Sequence, residues 1–243
     1  MSVEGLRLTL EDGTMEAVVD HGDGNLFTVA MCDELSRWLL APPAGAHVLR
    51  LRAVGDAFCL GRERAAVGAA ALRAETEALI RLNRAIAGSD LITVAEVQGD
   101  AAGYGVGLAA ICDISVAAPS ARFWFPEVEM DLAPSIVLVW LAPTIGRKQA
   151  LLLTATGEAI DARRAAELDL ITEVAASDDR LAAAVSEHVA VLRSHSPTVH
   201  ADIKRFVTRT AGWTADEAYE LAAEKLTNAG LARQLGASEQ RRG

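Results

Sequence analysis

The stretch "ITVAEVQGDAAGYGVGLAAICD", residues 92–113, constrains the fold of this chain more than any other. An apolar run ends in Gly99, three glycines follow at every second position (Gly103, Gly105, Gly107), and a helix-like segment comes next. Glycines spaced this way between a strand and a helix mean that backbone passes close to something a side chain would block. A dinucleotide phosphate would require G-x-G-x-x-G/A. Counted from Gly103, the third small position falls on Leu108; counted from Gly105, it falls on Ala110, a partial match. The next strand, "ISVAA", begins too soon for a nucleotide-binding crossover, and no G-K-[ST] follows for a phosphate loop. Two readings remain open from the residues alone. One is close packing of strand and helix. The other is a helix start whose unpartnered N–H groups hold a carbonyl oxygen that becomes an oxyanion.

Hydrophobic patterning supplies the surroundings. "LRLTLEDGTMEAVVD" alternates and turns at Asp12-Gly13, which predicts a hairpin. Met31, Leu35, Trp38 and Leu39 share a helical face within 28–40, and an Ala-rich helix is expected from about 63 to 87. "HVLRLRAV", "LITVAEV", "ISVAA" and "LITEV" read as strands, with "GDAFCLGRER" a loop after the first of them. From residue 179 onward only helices are expected; the clearest opens with Thr214 and Glu217 at capping-box spacing. The pattern predicts an α/β body over 1–178 and a helical region over 179–243.

Charge and cysteine usage exclude several classes. A formal charge of −10 disfavours nucleic acid as a partner, because phosphate backbones need clustered Lys and Arg. Cys32, Cys59 and Cys112 are dispersed and odd in number, which predicts reduced thiols rather than a disulfide framework. The apolar-looking run from 91 to 118 is broken by Glu96, Gln98, Asp100 and Asp113, so no membrane span is expected. With no secretory pattern at the N-terminus, a cytoplasmic location is the expectation. His195 and His200 flank Pro197 without an acidic cluster, and no metal or separate cofactor is expected.

"GDAFCLGRE" (55–63) and "VQGDAAGYGVGLAAICDISVAAPSARFWFPEV" (97–128), followed by "IGRKQALLLTATGEAIDARRAAELDLITEV" (145–174), resemble the crotonase superfamily, the enoyl-CoA hydratases and isomerases. The likeness covers residues 5 to 210 and rests on separated motifs in the right order. It implies a crotonase-like ββα spiral with two roughly perpendicular sheets and a helical C-terminal part that builds a homotrimer or hexamer. It implies an acyl-CoA thioester as substrate, with coenzyme A entering as part of it. Oxyanion donors are then the backbone N–H groups of Arg62 and Tyr104. Phe58, Leu60, Gly61, Arg62, Gly103 and Gly105 are the implied substrate and CoA contacts. Glu127 of Pro126-Glu127 is the implied acid/base, and Arg62 and Arg64 have two readings from their own chemistry, guanidinium contact with the CoA phosphates or a solvated helix N-terminus.

The chain also departs from the pattern. Where a hydratase of this superfamily keeps a second glutamate there is Gly107, and where some relatives carry an aspartate there is Ser135. A glycine-rich stretch is replaced by "APSIVLVWL", and the terminal "AFxEKR"-like segment is missing. One carboxylate suits proton shuttling, so the expectation is an isomerase that moves a double bond from the 3 to the 2 position. Alternatives are hydration assisted by Asp100, Glu129 or Asp131, a CoA-binding or scaffold subunit without chemistry, and a nucleotide-binding oxidoreductase.

Overall fold

The structure is a computed structural model that describes residues 2–240. It divides into two compact units, one ending at Lys204 and one beginning at Arg205. The first opens with strands β1 (Ser2–Val3), β2 (Leu6–Glu11) and β3 (Thr14–Val19). β2 and β3 pair antiparallel from Leu6↔Val19 to Glu11↔Thr14, as the alternation predicts. The turn takes φ of 46° at Asp12 and 76° at Gly13, and this pair of positive angles is what an Asp-Gly hairpin turn supplies. Helix α1 (Val29–Leu40) is capped by Thr28, whose Oγ1 accepts the Met31 N–H at 3.1 Å. It buries Met31, Leu35 and Leu39, while Trp38 stays half-buried.

Three strand–strand–helix repeats then follow. They are β4 (Val48–Ala53), β5 (Ala57–Cys59) and α2 (Ala69–Gly88); β6 (Ile92–Val97), β7 (Asp100–Ala102) and α3 (Tyr104–Ile111); and β8 (Ile114–Ala117), β9 (Arg122–Trp124) and α4 (Ser135–Ile145). The first strand of each repeat joins one sheet and the second joins another, so β4, β6 and β8 lie side by side and parallel, as do β5, β7 and β9. That alternation is the ββα spiral. α5 (Arg147–Thr156), β10 (Ile160–Asp161), α6 (Ala162–Glu167), β11 (Glu173–Val174), α7 (Leu181–Arg193), α8 (Pro197–Thr210) and α9 (Ala215–Gln240) complete the chain. Among the described residues the sheets run β1-β2-β3-β4-β6-β8-β11 and β10-β9-β7-β5.

The continuous apolar run of β6 is explained by burial on both faces. One face joins the main core with Leu49, Leu51, Ala95 and Val97. The other meets α7, whose Leu181, Val185 and Val189 pack on Val48, Val94 and Val116. Full burial of each such side chain stabilises by about 1.5–3 kcal/mol. Because α7 closes this face, the first unit extends past residue 178. In the second unit, the predicted capping box forms: Glu217 Oε2 accepts the Thr214 N–H at 2.8 Å, and Thr214 Oγ1 accepts the Glu217 N–H at 3.4 Å.

Two helix starts differ from the sequence expectation. α2 begins at Ala69 rather than near 63, because Glu63 is still paired to Phe27 and Gly68 takes φ of 85°. α3 begins at Tyr104, inside the glycine triplet rather than after it.

Candidate active site

Each glycine of the triplet has its own steric reason. A β-carbon on Gly105 would overlap the carbonyl oxygen of Cys59, so only a glycine lets the first turn of α3 press against the end of β5. Gly103 takes φ of 51°, and a β-carbon there would lie 2.5 Å from Glu127 Oε1. Gly107 is different: an added β-carbon would sit 3.4 Å from both Val137 Cγ2 and Trp140 Cζ2, an ordinary contact distance. Gly99, at the end of β6, overlaps Asp56 in the same sense as Gly105 does Cys59.

The loop after β5 is fixed by a short parallel bridge. Phe27 donates its N–H to the Gly61 carbonyl at 3.1 Å and accepts the Glu63 N–H at 2.9 Å. In such a bridge the residue between the two bonded ones turns its own N–H to the opposite side. That residue is Arg62. Across from it, Tyr104 is the first residue of α3, where N–H groups have no partner within the helix. Gly103 is held by its N–H to the Trp124 carbonyl at 2.9 Å, and its own carbonyl accepts the Gly107 N–H. The Gly105–Cys59 contact therefore draws two free-facing backbone N–H groups toward one space.

That space is a cavity of about 610 Å³ lined by Leu60, Gly61, Arg62, Arg64, Gly103, Tyr104 and Glu127, with Leu26, Leu79, Met130 and the segment 132–137 forming much of the remaining, largely apolar wall. Phe58, expected to contact substrate, lies instead in the hydrophobic core, and Gly105 is taken up by its contact with Cys59.

Glu127 sits on a 3-10 turn, Pro126–Met130, that follows β9. Among the described residues lining the cavity it is the one carboxylate. Burial pushes its pKa above the ordinary glutamate value, against the opposing pull of its own backbone hydrogen bond and of Arg64 and Arg62. Its Oε2 is buried with no hydrogen-bond partner. A half-buried carboxyl with an open acceptor and a raised pKa is poised to exchange a proton with something bound beside it.

The three carboxylates considered as substitutes lie elsewhere. Asp100 is paired with Arg122, Nη2 to Oδ2 at 2.8 Å, on the outer side of β7. Glu129 and Asp131 are exposed. None of the three lines the cavity. Ser135 does, at the start of α4.

The sequence reading missed a second row of residues. Glu75 forms an ion pair with the Arg62 guanidinium, and its Oε2 accepts the Ala66 N–H at 3.3 Å. The Tyr104 hydroxyl lies 3.3 Å from the Leu79 carbonyl and 3.1 Å from Asn83 Oδ1. Glu75 and Asn83 are buried polar residues on the same face of α2 as Ala78, Leu79 and Leu82. Polar residues on the apolar face of an amphipathic helix were the available signal.

Comparison with known proteins supplies the family and the fold. Residues 24–235 fit the family model for Enoyl-CoA hydratase/isomerase. The chain belongs to the enoyl-CoA hydratase/isomerase family. Enoyl-CoA hydratase ACTT6 of Alternaria alternata is 27% identical, over 98% of this chain and 82% of its own. An enoyl-CoA hydratase of Mycobacterium smegmatis superposes with a TM-score of 0.87 at 25% identity, covering 93% of this chain and 91% of that one. An enoyl-CoA hydratase/isomerase family protein of Silicibacter pomeroyi gives 0.88 at 25% identity, covering 93% and 98%. The chain is thus a crotonase-fold member of an acyl-CoA enzyme family. Among the described residues, no helix is long and apolar enough to cross a membrane, and no group of three or more His, Cys, Asp or Glu side chains is arranged to hold a metal ion.

Proposed function

We propose that the chain is an acyl-CoA isomerase that moves a double bond from the 3 to the 2 position, with Glu127 as its single acid/base. The observation that carries this reading is the solitary carboxylate: Glu127 is the one carboxylate among the described residues lining the cavity, and the place of a second glutamate is Gly107, beside Val137 and Trp140. The backbone N–H groups of Arg62 and Tyr104 grip the thioester oxygen. Glu127 removes a proton from C2, negative charge spreads over the dienolate and its oxygen, and Glu127 returns the proton at C4. Each backbone donor contributes about 3 kcal/mol to stabilising the developing oxyanion. Arg62 and Arg64 meet the CoA phosphates at the cavity mouth. Leu60, Leu79, Leu132 and Val137 receive the acyl chain.

The relatives named as hydratases favour a second reading, addition of water to a 2-enoyl-CoA. Hydration asks for a second group to hold and orient the water, and no further carboxylate among the described residues reaches the cavity. Turnover of 3-enoyl-CoA set against hydration of 2-enoyl-CoA separates the two. The exposed apolar residues Trp213, Tyr219 and Leu226 of the C-terminal unit support self-association of the chain as a trimer or hexamer, which mass measurement in solution tests.

A further inference from the structure

The two backbone donors belong to residues with unusually large side chains, and both side chains turn to the same helix. Arg62 reaches Glu75, and Tyr104 reaches the Leu79 carbonyl and Asn83. Positions 75, 79 and 83 follow one another at intervals of four, so they stand on one face of α2, along about 12 Å of its axis. The side chain of Glu75 is 8% exposed and that of Arg62 25% exposed, so the ion pair is largely shielded from water. Tyr104 is 5% exposed, and its hydroxyl has two acceptors within reach for its single proton. Glu75 itself does not line the cavity; Arg62 stands between it and the site.

We propose that α2 is a side-chain clamp that holds the two oxyanion donors at their working separation once the main chain has brought them together, with Glu75 as the positioning residue for Arg62 and the Leu79 carbonyl with Asn83 as the anchor for Tyr104. The inference rests on the oxyanion reading of these two N–H groups. The main chain brings the two donors together, with β5 paired to β7 and Gly105 packed on Cys59, and Phe27 touches both sides, through its backbone at Gly61 and Glu63 and its ring against that of Tyr104. α2 adds to this main-chain contact a side-chain anchor for each donor. An error of 1 Å in such a constellation lowers a rate by about a hundredfold, so two anchors on one helix have a direct catalytic consequence. Glu75 also neutralises Arg62 beside Glu127, and so keeps the guanidinium from pairing with the base.

The test uses acetoacetyl-CoA, a β-ketothioester whose enolate absorbs in the near ultraviolet and whose enol oxygen occupies the donors' position. It reads the donors without depending on which double bond the enzyme moves. Wild type is compared with Tyr104→Phe, Glu75→Gln and the double variant Arg62→Met, Glu75→Met. CoA affinity and thermal unfolding are followed in parallel. The double variant leaves no unpaired buried charge, so it keeps the question open even if Glu75→Gln is poorly folded.

The expected result is an enolate band in wild type that falls by about tenfold at saturation in Tyr104→Phe and in the double variant, with CoA affinity retained and kcat lowered more than KM in Tyr104→Phe. A band that recovers fully in the double variant, or one untouched by Tyr104→Phe, overturns the clamp and leaves the oxyanion reading standing. A wild type with no band at saturating acetoacetyl-CoA refutes the oxyanion reading itself, and the clamp with it.

Discussion

Gly105 and Cys59 touch through their main chains: the α-carbon of one lies against the carbonyl oxygen of the other with no room for a side chain between them. That contact seats α3 on β5, and it brings Arg62 and Tyr104, whose N–H groups are the proposed oxyanion donors, to one cavity. Gly105→Ala must push the two elements apart. The expected cost is about 1–3 kcal/mol in denaturant unfolding. Turnover should fall by a further margin in molecules that remain folded, because the donors separate. Unchanged unfolding would contradict the packing, and unchanged turnover would contradict its link to the site.

Gly107 has ordinary space for a β-carbon, and Val137 and Trp140 of α4 would be its contacts. Gly107→Glu alone should therefore fail to add water to 2-enoyl-CoA and should lose stability through burial of an unpaired carboxylate. Paired with Trp140→Ala, which opens the path, it should gain measurable hydration, read as loss of the conjugated enoyl absorbance. Efficient hydration by the single variant would show that α4 does not close the site.

The raised pKa of Glu127 has consequences for both rate and stability. As a base it must be ionised, so kcat/KM should fall on an acid limb centred above the ordinary glutamate value of 4.5. Because the folded value is raised, Glu127's contribution to stability is fully present below 4.5 and is lost as pH rises through the folded value. Glu127→Gln, which cannot ionise, should unfold at a higher temperature than wild type at neutral pH. The gap should close toward pH 4, as the wild-type carboxyl takes up its proton. A gap that widens on acidification would give the shift the opposite sign.

Lys204 is buried, and its Nζ donates to the Ile86 carbonyl at 2.8 Å, the Leu91 carbonyl at 3.0 Å and Asp113 Oδ2 at 2.7 Å. It thereby satisfies an orphan carbonyl in the last turn of α2 and joins α8 to the turn between α3 and β8. Lys204→Ala strands the two carbonyls and leaves Asp113 Oδ2 with Thr93 as its partner, and the expected loss is about 3 kcal/mol in equilibrium unfolding. Activity per folded molecule should be nearly unchanged, since no atom of this network lines the cavity.

The sequence carried the hairpin, α1 and the strand β6, because each rests on local periodicity and local turn chemistry. The resemblance carried by "GDAFCLGRE", the glycine triplet and Pro126-Glu127 pointed to Arg62, Tyr104 and Glu127, and these three line one cavity. The start of α2 was not legible: residues 63–68 have helix-compatible composition, and what keeps Glu63 extended is a bridge to Phe27, thirty-six positions earlier. The role of Glu75 was hidden for the same reason, since its partner comes from a separate loop. Gly107 was legible as an absence, but its place beside Val137 and Trp140 was not, since that needs the position of α4. Local pattern fixes elements; what faces what across the cavity depends on contacts distant in the chain.

Glu127 is the proposed single acid/base of a proton shuttle between C2 and C4. The direct measurement is turnover of a 3-enoyl-CoA and of the matching 2-enoyl-CoA by wild type and by Glu127→Gln, with exchange of the C2 proton followed in deuterated water. The predicted result is isomerisation of the 3-enoyl thioester by wild type, little hydration of the 2-enoyl thioester, and loss of isomerisation and C2 exchange by about a hundredfold or more in the variant. Isomerisation that survives Glu127→Gln at the wild-type rate, or hydration that outpaces isomerisation in wild type, would contradict it.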